Sequence, residues 1–225
     1  MIKAIFFDID GTLVHTGRAG VKAFDRAFAT EFNIPNGTEN LVFAGRTDPS
    51  IVRDFFKKHG IDPSPAHFKR FFESYVFWLD HLLPKSQGGI CPGVWNFIHD
   101  SQSLQTPPLL GLLTGNIRLG AEIKLRHFFL WESFAVGAFG DDHENRNELA
   151  GIALDRARKV LGGALRPDEV LIVGDTPLDI ECARSIQAQS LAVATGASKL
   201  EQLQVLKPTW AVAHLGTINA RQVCL

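Results

Sequence analysis

The chain has 225 residues, 45% of them hydrophobic, with 23 basic against 24 acidic side chains and a formal net charge of −1. That length suits one large domain, or a core with a smaller insertion, and the near-neutral balance excludes the basic footprint of a nucleic-acid-binding protein. Three widely spaced cysteines, Cys91, Cys182 and Cys224, lack both Cys-x-x-Cys pairing and zinc-ligand spacing and are expected as buried free thiols, and no apolar run approaches the ~18 residues of a membrane span.

The first strand pattern begins at residue 2, leaving no room for a signal peptide, so a soluble cytoplasmic protein is expected. Ile2, Ala4, Ile5, Phe6 and Phe7 form a near-continuous apolar run, as strands buried on both faces of a parallel sheet do. The run stops at Asp8-Ile9-Asp10-Gly11-Thr12, which puts Asp8 at a strand's carboxyl end, facing the crevice where open α/β sheets bind ligands. Asp8 and Asp10, two residues apart, aim at one small volume, and their mutual repulsion is costly without a cation or a shared proton.

Residues 17–86 then read as helical throughout. Val21, Phe24, Phe28 and Phe32 share one stripe; Asp48-Pro49 resembles a cap with proline at the first helical position; Ser64-Pro65 repeats the device before a face carrying Phe68, Phe71, Phe72, Tyr75, Leu79 and Leu83. With no strand pattern among them, these residues are read as a helical cap domain inserted into a core made of 1–16 and 87–225. The aromatic stripe is expected to be the cap's own small core.

A short helix at Val94, Phe97 and Ile98 follows Gly88-Gly89, and Leu109 to Thr114 is a second buried strand. It ends in Thr114-Gly115-Asn116, offering a hydroxyl and backbone N–H groups to an anion. A third strand is expected from Phe134 to Phe139. Asn145 and Glu148 then have capping-box spacing, which places Arg146 in the first turn of a helix. Val170 to Gly174 is a fourth buried strand delivering Asp175-Thr-Pro-Leu-Asp179, and further strands are expected at 191–194 and, on a sheet edge, at 210–213. The fold class is therefore α/β, a Rossmann-like parallel sheet with a helical cap.

The string Asp8-Ile-Asp-Gly-Thr-Leu-Val14 resembles the first motif of the haloacid dehalogenase-like (HAD) hydrolase superfamily; Thr114-Gly115 resembles the second and Gly174-Asp175-x-x-x-Asp179 the fourth. With the cap at its expected insertion point, the layout is most similar to the phosphoglycolate phosphatase-type branch. The resemblance implies a Mg²⁺-dependent phosphatase in which Asp8 is the nucleophile and becomes an aspartyl phosphate, while Asp10 serves as general acid and then general base. It further implies that Thr114 and Gly115 bind the phosphoryl group, that Mg²⁺ is held by Asp8, Asp175 and the backbone carbonyl of Asp10, and that Asp179 supports the site.

Most relatives carry a lysine near the third motif. None lies between Lys124 and Lys159, so Arg146 is expected in that role, its guanidinium being a permanently charged phosphate partner. The loop Phe43-Ala-Gly-Arg-Thr-Asp48 falls where capped relatives carry a specificity loop, which makes Arg46 and Thr47 candidates for substrate contact. The implied partner is a small phosphorylated metabolite, with phosphoglycolate the named candidate, and no nucleic acid or membrane; the protein is expected as a monomer or homodimer. A phosphomutase of the beta-phosphoglucomutase type has the same parts, and a non-enzymatic HAD-fold interaction protein is the alternative from another class. A dehalogenase has no use for a second acid at Asp10 or a metal ligand at Asp175.

Overall fold

In the computed structural model, which describes residues 1–225, the first apolar run is β1 (Ala4–Phe7), buried along its whole length. It pairs in parallel with β4 (Leu109–Leu113) on one side and β6 (Val170–Gly174) on the other, with Phe7 level with Leu112 and Val173. Beyond these lie β5 (Val136–Ala138) at one edge and β7 (Gln189–Val193) and β8 (Trp210–Val212) at the other, giving a six-stranded sheet in the order β5-β4-β1-β6-β7-β8. Every neighbouring pair in it is parallel. The three central strands therefore end together, and Asp8, Thr114 and Asp175 leave them on the same side.

Side chains alternate across β1 with the period of two that a pleated strand imposes. Ile5 and Phe7 enter one core with Phe97 of α4 (Val94–Gln102), Leu125 of α5 (Arg118–His127) and Val223 of α9 (Ala220–Cys224). Ala4 and Phe6 enter the opposite core with Leu149 and Ala153 of α6 (Arg146–Leu161) and Ala183 of α7 (Pro177–Ser185). A short α8 (Leu200–Val205) covers the β7 end through Leu203. Cys91, Cys182 and Cys224 are buried and unpaired, and no helix is long and apolar enough to cross a membrane.

Helices α1 (Ala19–Phe32), α2 (Asp48–Lys58) and α3 (Pro65–Leu82) pack on one another around Phe24, Phe28, Phe55, Phe56, Phe71 and Tyr75. The expected aromatic stripe is thus the interior of this helical unit, and it meets the rest of the chain through Ile117, Ile123 and Phe128, in and beside α5. Two short strands, β2 (Val14–His15) and β3 (Gly89–Ile90), pair antiparallel where the chain leaves for the helices and returns from them. Both lie outside residues 17–86, which hold helices and no strand, and a two-residue strand gives no periodic signal in the sequence. Gly17 sits there at φ 56°, and a Cβ on it would lie 2.7 Å from the backbone of Gln87, so the two linkers touch at a spot that only glycine fits.

The third strand is three residues long rather than six. Phe134 is the residue after a short 3₁₀ turn and Phe139 begins the loop, so its apolar flanks were packing residues, not ladder residues.

Candidate active site

A cavity of about 400 Å³ opens between the carboxyl ends of the central strands and the helical unit. It is lined by Asp8, Asp10, Thr114, Gly115, Arg146 and Asp175 from the sheet side, and by Phe24, Arg46, Asp48 and Tyr75 from the helices. That size suits a small ligand.

Asp8, Asp175 and Asp179 are all buried, with one carboxylate oxygen from each lying within 4.8 Å of the others. Burial raises the pKa of Asp8 to about 6, against the pull of Arg146. Burial, then the charges of Asp8 and Asp179, push Asp175 up to about 8. Thr12 and the backbone N–H of Ala197 donate to the two oxygens of Asp175, which fixes its orientation. Asp179 spends one oxygen on the N–H and hydroxyl of Thr176, the capping box its spacing predicts, and the other on Arg146. An oxygen-only set of Asp8 and Asp175, whose repulsion a cation would relieve, fits Mg²⁺; Asp179 is already neutralised.

Arg146 opens α6 as the first helical residue after the cap Asn145, as the capping-box spacing predicts. It is the cation of this cluster. Its Nη2 lies 3.1 Å from Asp8 Oδ1 and 2.5 Å from Asp179 Oδ1 and donates to the carbonyl of Leu113; Nη1 donates to the carbonyl of Gly45, in the loop before α2. Burial works against its charge, yet Asp179 and Asp8 together raise its pKa above the usual arginine value.

Thr114 Oγ1 accepts from the backbone N–H and the side-chain amide of Asn116, which leaves its own proton to donate into the cavity. A Cβ at Gly115 would lie 2.0 Å from the carbonyl of Arg46, so glycine is what lets the 45–48 loop close over the Thr114 turn. Asp48 N–H donates to Gly115 O, and Ile117 N–H donates back to Asp48 Oδ2. Arg53 of α2 adds an ion pair to Glu144 in the β5–α6 loop.

Two expectations change here. The cap of α2 is Thr47, not Asp48: its hydroxyl accepts from Ser50 N–H and donates to the carbonyl of Glu144, so Thr47 is occupied in joining the two units and does not line the cavity. Asp48 is instead a buried carboxylate in the cavity wall. Arg46 lines the cavity, with its guanidinium held by Asp54 at 2.8 Å and by Ser50.

Burial raises Asp48 to about 7 from an ordinary 3.8, with the charge of Lys124 opposing. The folded chain therefore keeps a proton that the unfolded chain loses, and stability falls as pH climbs through that interval. Asp48→Asn retains an acceptor for Ile117. Its melting temperature should exceed the parent's by an amount that widens between about pH 4 and pH 7, reaching on the order of 10 °C. A gap that stays constant over that range, followed by differential scanning fluorimetry, contradicts a protonated Asp48.

Sequence reasoning passed over Lys124. It lies on α5 with Gly120, Ala121 and Leu125 on that helix's buried side, and its Nζ is 2.6 Å from Asp10 Oδ2. A lysine on an inward-facing stripe was the available signal.

The chain is a doubly wound α/β protein with an acid pair at the switch point of its sheet, and residues 5–193 match the family model of the haloacid dehalogenase-like hydrolases, so the chain belongs to that family. It is 27% identical over 209 residues to a phosphoglycolate phosphatase of Synechococcus elongatus, covering 93% of this chain and 92% of that one. Among solved structures it resembles a variant of CbbY from Rhodobacter sphaeroides crystallised with xylulose-(1,5)bisphosphate (TM-score 0.76, 17% identity, 96% of each chain). It also resembles a beta-phosphoglucomutase of Clostridium difficile (TM-score 0.74, 17% identity, 99% of this chain and 96% of that one).

Proposed function

We propose that the protein is a Mg²⁺-dependent phosphatase that hydrolyses a small phosphate monoester through an aspartyl phosphate on Asp8, with residues 17–86 acting as a cap over a core of 1–16 and 87–225. The observation that carries this reading is the meeting of Asp8, Thr114, Arg146 and Asp175 at the ends of adjacent parallel strands, with Asp10 facing the same cavity. Asp8 attacks phosphorus as the bond to the leaving oxygen breaks. Asp10 gives that oxygen a proton, then takes one from the water that hydrolyses the acyl phosphate. Thr114, Gly115 N–H and Arg146 bind the phosphoryl oxygens, as preorganised donors in a site screened from bulk water. Asp8, Asp175 and the carbonyl of Asp10 would hold Mg²⁺, which would supply the positive charge that offsets repulsion between the carboxylates and the phosphoryl group.

The name of the Synechococcus relative and the size of the cavity favour a compact substrate, and phosphoglycolate is the member of that class we name. Arg46 is placed in the cavity wall where it would meet the part of the substrate beyond the phosphoryl group. The test is release of inorganic phosphate from a panel of small monoesters, with Mg²⁺ and with chelator. Metal-dependent release from at least one member is expected, and no release from any overturns the reading. Hexose phosphates with a bisphosphate primer in the same panel report the phosphomutase alternative, in which the phosphoryl group passes to sugar.

A further inference from the structure

Asp10 has a side chain that is 43% exposed to the cavity, yet only one of its oxygens is engaged. Lys124 Nζ donates to Asp10 Oδ2 at 2.6 Å and Asn116 Nδ2 donates to the same atom at 2.9 Å. Lys124 Nζ also donates to Asn116 Oδ1 at 2.6 Å, and Asn116 Nδ2 reaches Thr114 Oγ1 at 2.9 Å. A lysine has donors only, so the amide oxygen of Asn116 must face it and the amide nitrogen must face Asp10 and Thr114. The three side chains thus close a ring with a single permitted sense, tied to Thr114. Asp10 Oδ1 accepts nothing from the protein. A Cβ at Gly20 would sit 3.5 Å from Nζ, so α1 packs closely against the ammonium there.

We propose that Lys124 is a positioning residue for the proton transfer: it pins Oδ2 of Asp10 into the ring with Asn116, so that Oδ1 is the oxygen that carries the proton and is presented to the leaving group. The inference rests on the phosphatase reading above and adds to it a residue outside the family-type motifs. In the step concerned, the proton moves from Asp10 Oδ1 to the leaving oxygen, which takes the electron pair of the breaking P–O bond. The ammonium stabilises the carboxylate that remains on Asp10. Lys124 lines the same cavity and acts through Asp10, on the oxygen that does not carry the proton, which makes it a positioning residue.

A residue that serves proton donation matters only when the leaving oxygen needs a proton. Phenyl phosphate and para-nitrophenyl phosphate have nearly the same shape but differ in the basicity of that oxygen, and kcat/KM reports the step that expels it. In Lys124→Met we expect kcat/KM to fall roughly 100-fold for phenyl phosphate and no more than about 5-fold for the nitrophenyl ester, the size of effect that general acid catalysis commands. Lys124→Gln, which keeps a donor, should fall between parent and Met. The ratio of the two rates within one sample does not depend on the fraction of protein folded, so a destabilised variant still answers the question. Equal losses on both esters, or none, with the parent active, overturn the inference alone. A parent inactive on both esters overturns the phosphatase reading and the inference with it.

Discussion

Asp8→Asn is expected to abolish turnover, with kcat down by at least ~10⁴, because an amide offers no anionic oxygen to attack phosphorus. The substitution is nearly isosteric, and an amide oxygen still accepts from Arg146 Nη2, which lies 3.1 Å from Asp8 Oδ1. Removing one of three clustered acids also lessens the repulsion that raises Asp175. The variant should therefore fold and melt at or above the parent's temperature, so that loss of activity is chemical rather than structural. Rapid quench of the parent with substrate, followed by intact-mass spectrometry, should show a phosphoryl adduct that Asp8→Asn lacks. Residual turnover within 100-fold of the parent excludes Asp8 as the nucleophile.

Arg146→Ala is expected to lower kcat by roughly 10³ and to cost about 3–5 kcal/mol of stability, the penalty of leaving buried charges without their partner. Asp8 and Asp179 would then face each other with no cation between them, in a site where burial already holds Asp8 at a raised pKa. Arg146→Lys distinguishes the charge from its shape. All the carboxylate contacts of Arg146 come from a single nitrogen, Nη2, while Nη1 reaches the carbonyl of Gly45 in the loop before α2 and Nε is buried without a partner. An ammonium in place of Nη2 satisfies the acids, so the lysine variant should regain most of the lost turnover. It loses the link to Gly45, and its melting temperature should stay below the parent's. Equal kcat for the Ala and Lys variants would show that the guanidinium is required as such, and kcat within a few-fold of the parent for Arg146→Ala would remove it from the phosphoryl site. Steady-state phosphate release and thermal melts of the three proteins measure both effects.

What made the core legible from sequence was burial on both faces. Strands such as Ala4–Phe7 and Val170–Gly174 have no solvent side, so they read as unbroken apolar runs, and the first polar residue after each marks a carboxyl end. Asp8, Thr114 and Asp175 could be found in this way, and Arg146 and Asp179 by the capping-box spacing of their helices. The short strands β2 and β3 were illegible for the opposite reason: two residues do not make a period.

The sequence by itself thus determined the α/β class, the helical insertion, the strand ends and the acids they carry, because period, cap and turn chemistry are properties of neighbours along the chain. Only the tertiary structure decided which oxygen of each acid is engaged and by which cation. Lys124 meets Asp10 across 114 residues, and Arg146 meets Asp8 across 138; Thr47 rather than Asp48 caps α2, and Asp48 accepts from Ile117 beside the Thr114 turn. A buried charge must find its counter-charge wherever the fold places one, and nothing local in a sequence records that choice.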